Sequence, residues 1–151
     1  MDTRQDTLFL FLTSHGVKGE ITIDLPGFHF DQLTPGQLKR MLDDSGIRRR
    51  VIVVSACHSG SFIRALANPT TLVITAARAD RSSFGCEDRR RWTYFGDAYF
   101  NQALRQDTSF TRAFEKATKL ITVWETAENL VPSLPQMAGG EALVAPSPHS
   151  R

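Results

Sequence analysis

RVIVVSACHSG, residues 50–60, is an apolar run that ends in a thiol, an imidazole and a glycine. It is short, rich in Val and Ile, and bounded by arginines and glycine, which is the pattern of a buried strand. Upstream, TLFLFLTSHG at residues 7–16 has the same form and ends in His15-Gly16. Parallel α/β sheets bind ligands just beyond the carboxyl ends of their strands. If these two strands lie side by side, His15 and Cys57 emerge at one rim. A thiol and an imidazole there make a nucleophile and its base.

Between the two runs, Gly19 to Leu25 alternate in part, which suits a short exposed strand or hairpin arm, and Pro26-Gly27 turns the chain. A helix then begins: Thr34 is the N-cap, Pro35 suits the first helical position and Gln37 completes a capping box. Leu38, Met41 and Leu42 share one face, and Gly46 ends the helix. Strand, helix, strand in this order form a parallel crossover.

Downstream of Cys57, HSGSF turns, and Phe62 to Ala67 continue as a short helix whose N-terminus lies beside Cys57 and favours a thiolate. Thr71 to Ala76 (TLVITA) form a third buried strand. Three apolar strands alternating with helices indicate an α/β fold with a mainly parallel sheet. The stretch from Ala77 to Thr93 has no period, so it reads as a loop over the same rim. A helix is expected over Phe95–Leu104, and another, capped by Ser109, from Phe110 to about Asn129. Its stripe of Phe110, Ala113, Phe114, Ala117, Leu120, Ile121 and Trp124 reads as core. The proline-rich end is irregular: residues 1–138 read as the domain and 139–151 as an irregular tail.

Composition narrows the function classes. The chain has 151 residues, 41% of them hydrophobic and 23% charged, enough to bury one core and too apolar for disorder. A net charge of +2 argues against nucleic acid as the partner, and Arg48–Arg50 and Arg89–Arg91 have acidic neighbours. No run approaches the length of a membrane span. The N-terminal MDTRQD lacks a signal peptide's apolar core, so as it stands the chain reads as cytoplasmic, with the compartment unassigned. Cys57 and Cys86 are the only cysteines; a disulfide between them is formally allowed, but two do not make a framework.

Several readings compete for His15 and Cys57. The plainest is a buried cysteine and a polar strand end, but both residues are followed by small, flexible ones that let backbone N–H groups approach a ligand. A phosphatase loop would need its arginine one position before Arg64, and HSGSFI is a poor phosphate cradle. A zinc site would draw on His15, Cys57, His58 and Cys86, but adjacent Cys57 and His58 do not readily share one ion. The G-x-S-x-G elbow of serine hydrolases is absent. A cysteine hydrolase remains.

Here the chain resembles a known family. A strand ending in Ser14-His15-Gly16, followed by one ending in Ser55-Ala56-Cys57, is similar to the signature of caspase-fold peptidases, and most of all to the legumain-like (asparaginyl endopeptidase) family. CHSGSF resembles the family's Cys-x-Ser-Gly-Ser block, ITAARADRSSFGC its next strand and specificity loop, and TYFGDAYF its Tyr-x-Gly-Asp-x-Tyr block. Ser133 to Gln136 resemble a Ser-x-Pro-Gln-like segment of bacterial members.

The resemblance implies a three-layer αβα sandwich and a peptidase of peptide or protein substrates, without metal or cofactor. Cys57 would attack the peptide carbonyl, His15 would protonate the leaving amine, and the N–H groups of Gly16 and Cys57 would hold the oxyanion. Ser82, Ser83 and Asp97 match positions lining the pocket for the residue before the scissile bond, and their chemistry fits an Asn carboxamide. Asp97 is equally a helix-start carboxylate. His58 stands beside the nucleophile where legumains usually carry an acidic residue; there it either borders substrate and tunes the Cys57 thiolate or sits on an exposed loop.

The family's catalytic domain has two strand–helix units before the His15 strand. On that resemblance the domain is partial, and LFLFL becomes an exposed apolar edge open to self-association along Thr7 to Ser14. The other reading is a non-catalytic binding or assembly module.

Overall fold

A computed structural model describes residues 2–23, 27, 32–85 and 91–144. The turn at Pro26, Cys86 with its disulfide and zinc readings, the arginines at 89 and 90, and the tail beyond 144 lie outside the described residues.

The strands are β1 (Thr7–Thr13), β2 (Gly16–Val17), β3 (Glu20–Thr22), β4 (Gln32–Leu33), β5 (Arg49–Ser55), β6 (Thr71–Thr75) and β7 (Gln136–Ala138). The main sheet has the order β1-β5-β6-β7, with the first three strands parallel and β7 antiparallel. β2, β3 and β4 form a small antiparallel sheet of their own.

Helix α1 (Pro35–Asp44) has the expected N-terminus: Thr34 accepts the Gln37 N–H, and the Gln37 side chain reaches back to the Thr34 N–H at 2.8 Å. Leu38 and Leu42 are buried, but Met41, expected on the same face, is 51% exposed. The helix offers only its i, i+4 pair to the core. After β5, a 3₁₀ turn (Ser59–Phe62) leads into α2 (Ile63–Leu66). Helical structure runs from Tyr94 to Gln106 as α3 (Tyr94–Gly96), a π-helical stretch (Asp97–Ala103) and α4 (Leu104–Gln106), capped by the Thr93 side chain. Next come α5 (Phe110–Ala127), capped by Ser109, and α6 (Glu141–Val144).

The period of β5 builds both cores. Val51 and Val53 face one side, with Leu72 and Ile74 of β6, and meet Phe95, Tyr99, Phe114 and Ile121 from α3 to α5. Ile52 and Val54 face the other side and meet Leu38, Leu42, Phe62 and Leu66 from α1, the 3₁₀ turn and α2. Successive strand residues point to opposite faces, so a strand apolar at every position is buried on both. The result is the expected three-layer α/β arrangement.

Two further features differ from the sequence reading. Residues 136–138, expected to be irregular, pair with β6. Of the expected irregular tail, Glu141–Val144 form a helix, and Gly139 packs so closely that an added Cβ would lie 2.3 Å from the Thr71 carbonyl oxygen. β1 is the edge strand, with Phe9 43% and Phe11 40% exposed, although their rings touch Phe100 and Phe110.

Candidate active site

The site begins where β1 and β5 end. Thr13 pairs with Ser55, and the Ser14 N–H donates to the Ser55 carbonyl at 3.3 Å. His15 and Cys57 therefore follow at the same rim. Past His15 the chain turns into β2, because the His15 carbonyl accepts the Thr22 N–H at 2.9 Å and the Ser14 hydroxyl donates to the Thr22 carbonyl at 2.7 Å. The His15 ring is exposed and, among the described residues, has no hydrogen-bond partner. Gly16 passes so close to the other strand end that a Cβ there would sit 2.4 Å from the Cys57 carbonyl oxygen. Only a residue without a side chain permits that approach.

Cys57 is half-buried. The Ser83 N–H points to its Sγ at 3.3 Å, and the Ser83 carbonyl lies 3.5 Å from the same sulfur. The Ser83 hydroxyl is 3.9 Å away. The loop expected over the rim thus meets Cys57 directly.

His58 adopts the left-handed conformation (φ 58°) and is half-buried rather than exposed. Its N–H donates to the Arg81 carbonyl at 2.8 Å, and its Nδ1 lies 3.0 Å from the Ala79 carbonyl. A carbonyl only accepts, so Nδ1 carries the proton. The ring thus braces the loop that carries Ser83. Gly60 is wedged against the same loop: an added Cβ would meet the Ala79 nitrogen at 2.6 Å and Gln136 Oε1 at 2.7 Å.

The other predicted residues do not converge as closely. Ser82 is exposed and borders a cleft of about 520 Å³ with Arg81, Phe84, Asn129 and Leu130. Asp97 borders a different cleft, of about 180 Å³, with Trp92, Tyr94, Trp124 and Glu128. Its carboxylate accepts the Asn101 side-chain amide at 2.8 Å, and it stands in the first turn of the π-helical stretch. Ser55 is buried at the end of β5, its hydroxyl 3.4 Å from that of Thr93. Thr93 links the rim to the Asp97 cleft. Among the described residues, no cluster of three or more His, Cys, Asp or Glu is placed to hold a metal.

Sequence reasoning singled out Ser133 to Gln136 only as a family-like segment and missed how it is tied to the loop and to α5. The Arg78 N–H donates to the Ser133 carbonyl at 2.9 Å, and the Ser133 N–H donates to the buried Glu125 carboxylate at 3.0 Å. One signal was available: Glu125 follows Ala117 and Ile121 at i+4 spacing on the buried stripe of α5.

A solved structure, the crystal structure of caspase-1 from Spodoptera frugiperda, superposes with a TM-score of 0.62 at 13% identity, covering 89% of this chain and 60% of that one. That likeness establishes the caspase-like fold. Legumain from Homo sapiens and legumain from Pongo abelii are each 33% identical over 97 residues, which is 63% of this chain and 22% of theirs. The chain thus spans only about a fifth of the length of these relatives. The model of the Peptidase C13 family matches residues 1–144, through both strand ends, the loop over Cys57 and the segment behind it. The chain belongs to the Peptidase C13 family.

Proposed function

We propose that this chain carries a cysteine-peptidase site in which Cys57 is the nucleophile and His15 moves the proton. The observation that carries this reading is the meeting of two strand ends, with Gly16 pressed against the Cys57 carbonyl and Ser83 bonded to the sulfur. Family membership supports the same chemistry.

In acylation, His15 takes the Cys57 thiol proton, Sγ bonds to the scissile carbonyl carbon, and the oxygen takes negative charge between the Gly16 and Cys57 N–H groups. The C–N bond then breaks as His15 delivers a proton to the departing amine. In deacylation, water adds to the thioester and gives its proton to His15, and the C–S bond breaks. A peptide amine in place of water gives transpeptidation by the same steps.

The proposed substrates are peptides or proteins with Asn, or another small polar residue, before the scissile bond. Ser83 is the proposed pocket residue nearest the nucleophile. Ser82 and Asp97 would contribute from flanking clefts. His58 acts from behind, through the loop it braces. Self-association through the open edge of β1 belongs to the same proposal: unpaired strand edges invite pairing, and two copies would join about a twofold axis. Sedimentation velocity at rising concentration reads it. A concentration-dependent dimer weakened by Phe9→Lys is expected; a monomer throughout rejects it.

The test of activity is a panel of fluorogenic peptides that differ in the residue before the cleaved bond. Cleavage is expected after Asn, falling at least about ten-thousandfold in Cys57→Ala. If the folded chain cleaves none of them, the reading as a non-catalytic binding or assembly module takes its place. Cleavage that survives in Cys57→Ala would assign the activity elsewhere.

A further inference from the structure

We propose that Glu125 is a positioning residue for Cys57, acting through the strap formed by residues 129–136. The inference rests on the peptidase reading of Cys57. Glu125 is only 3% exposed, on the stripe of α5 that also buries Ala117 and Ile121. A carboxylate in such a place is costly unless hydrogen bonds satisfy it. Two of this residue's oxygens serve the strap: Oε1 accepts the Ser133 N–H at 3.0 Å, and the backbone carbonyl accepts the Leu130 N–H at 2.9 Å.

The strap follows an unfavourable path. Asn129 (φ 55°) and Leu134 (φ 54°) are both left-handed, and Leu134 precedes Pro135, which restricts it further. Strain of this kind persists only where the surroundings over-determine it. Here they do: Ser133, 2% exposed, is held by Glu125 on one side and by the Arg78 N–H on the other, and Gln136 pairs with Thr75.

The relay then runs to the sulfur. Arg78 opens the loop whose Ala79 and Arg81 carbonyls hold His58 and whose Ser83 N–H points to Sγ. Every link from α5 to Cys57 is a hydrogen bond or a few peptide units. An apolar side chain at 125 fills similar space but leaves the Ser133 N–H buried without an acceptor. The strap must then move, and the Ser83 N–H moves off the sulfur with it.

The test needs no peptidase activity. Iodoacetamide alkylation of Cys57 is timed by mass spectrometry at neutral pH in the wild type, Glu125→Leu and Glu125→Gln, each at matched folded fraction by circular dichroism. Gln keeps the Oε1 acceptor. The Leu variant is expected to lose about tenfold in Cys57 alkylation rate, as for one lost hydrogen bond to a charged group, with Gln restoring wild-type reactivity. Equal rates in folded Leu and wild type would overturn the proposal, as would a Gln variant as slow as Leu. Where the Leu variant does not fold, amide exchange in the wild type decides. The Ser133 and Ser83 amides are expected to open together. Ser83 exchanging freely while Ser133 stays protected would break the relay. The peptide panel can fail while this result stands, and the reverse, so the two proposals are separable.

Discussion

Gly16 and Gly36 show what single residues contribute here. A Cβ on Gly16 would lie 2.4 Å from the Cys57 carbonyl oxygen, whereas one on Gly36, in the first turn of α1, meets nothing within 4 Å. Gly16→Ala must therefore push the two strand ends apart. We expect it to lower the melting temperature and to slow peptide cleavage by more than about a hundredfold, since small misplacement of reacting groups is costly. Gly36→Ala should instead raise stability by up to about 1 kcal/mol, through the entropy glycine loses in a helix. Thermal melts of the two variants beside the wild type check both. At this scale the convergence of the strand ends that carry His15, Gly16 and Cys57 was legible in the sequence, because each of these residues ends or follows an apolar run. The family resemblance gave Ser83 only as a pocket residue, and its tie to Cys57 was not legible, since no local pattern brings a loop residue to a sulfur 26 positions away. Glu125 escaped notice because a lone carboxylate in a helix reads as a solvated face until its partner is known.

Among the elements, α1 is the most locally determined. Its capping box is present as the sequence dictates, and Thr34→Ala should cost about 1 kcal/mol in chemical denaturation, with catalysis unchanged in the folded protein. β5 is determined by burial. Ile52 has no exposed surface, so Ile52→Ala should cost about 2–5 kcal/mol by the same measurement. β7 was not legible, for a physical reason. Three residues next to a proline have little strand propensity of their own, and their conformation is set by pairing with Val73 to Thr75, far away in sequence. Met41 marks another limit: helical spacing gives a face, but not how much of it the neighbouring elements cover.

For the whole molecule, the acid response is read from three carboxylates among the described residues that are held below their ordinary range. Lys39 and then Arg50 lower Asp43, the Arg78 guanidinium lowers Asp80 to about 2, and Asp107 is held lower by Arg112, the Ser109 N–H and Lys116. A depressed carboxylate adds stability above its unfolded value of about 3.9, and that stability is lost as pH falls through the folded value. Asp43 and Asp80 are about half exposed, so their ion pairs contribute little; Asp107, 11% exposed, dominates. The melting temperature should begin to fall near about pH 4 and go on falling below about pH 2, and Asp107→Asn should start lower and fall less steeply. Parallel curves would remove Asp107 from the account. Of the whole fold, the parallel order of three strands was legible in the spacing of the apolar runs, and the partly exposed edge at Phe9 and Phe11 was expected. The claim on which the rest depends is that His15 activates Cys57. Its most direct test is the rate of iodoacetamide alkylation of Cys57 across neutral pH, by mass spectrometry, in the wild type and in His15→Ala, with Cys86 as the internal reference. Removing His15 should slow Cys57 by about tenfold or more and leave Cys86 unchanged. A Cys57 that reacts at the same rate with and without His15 would contradict it.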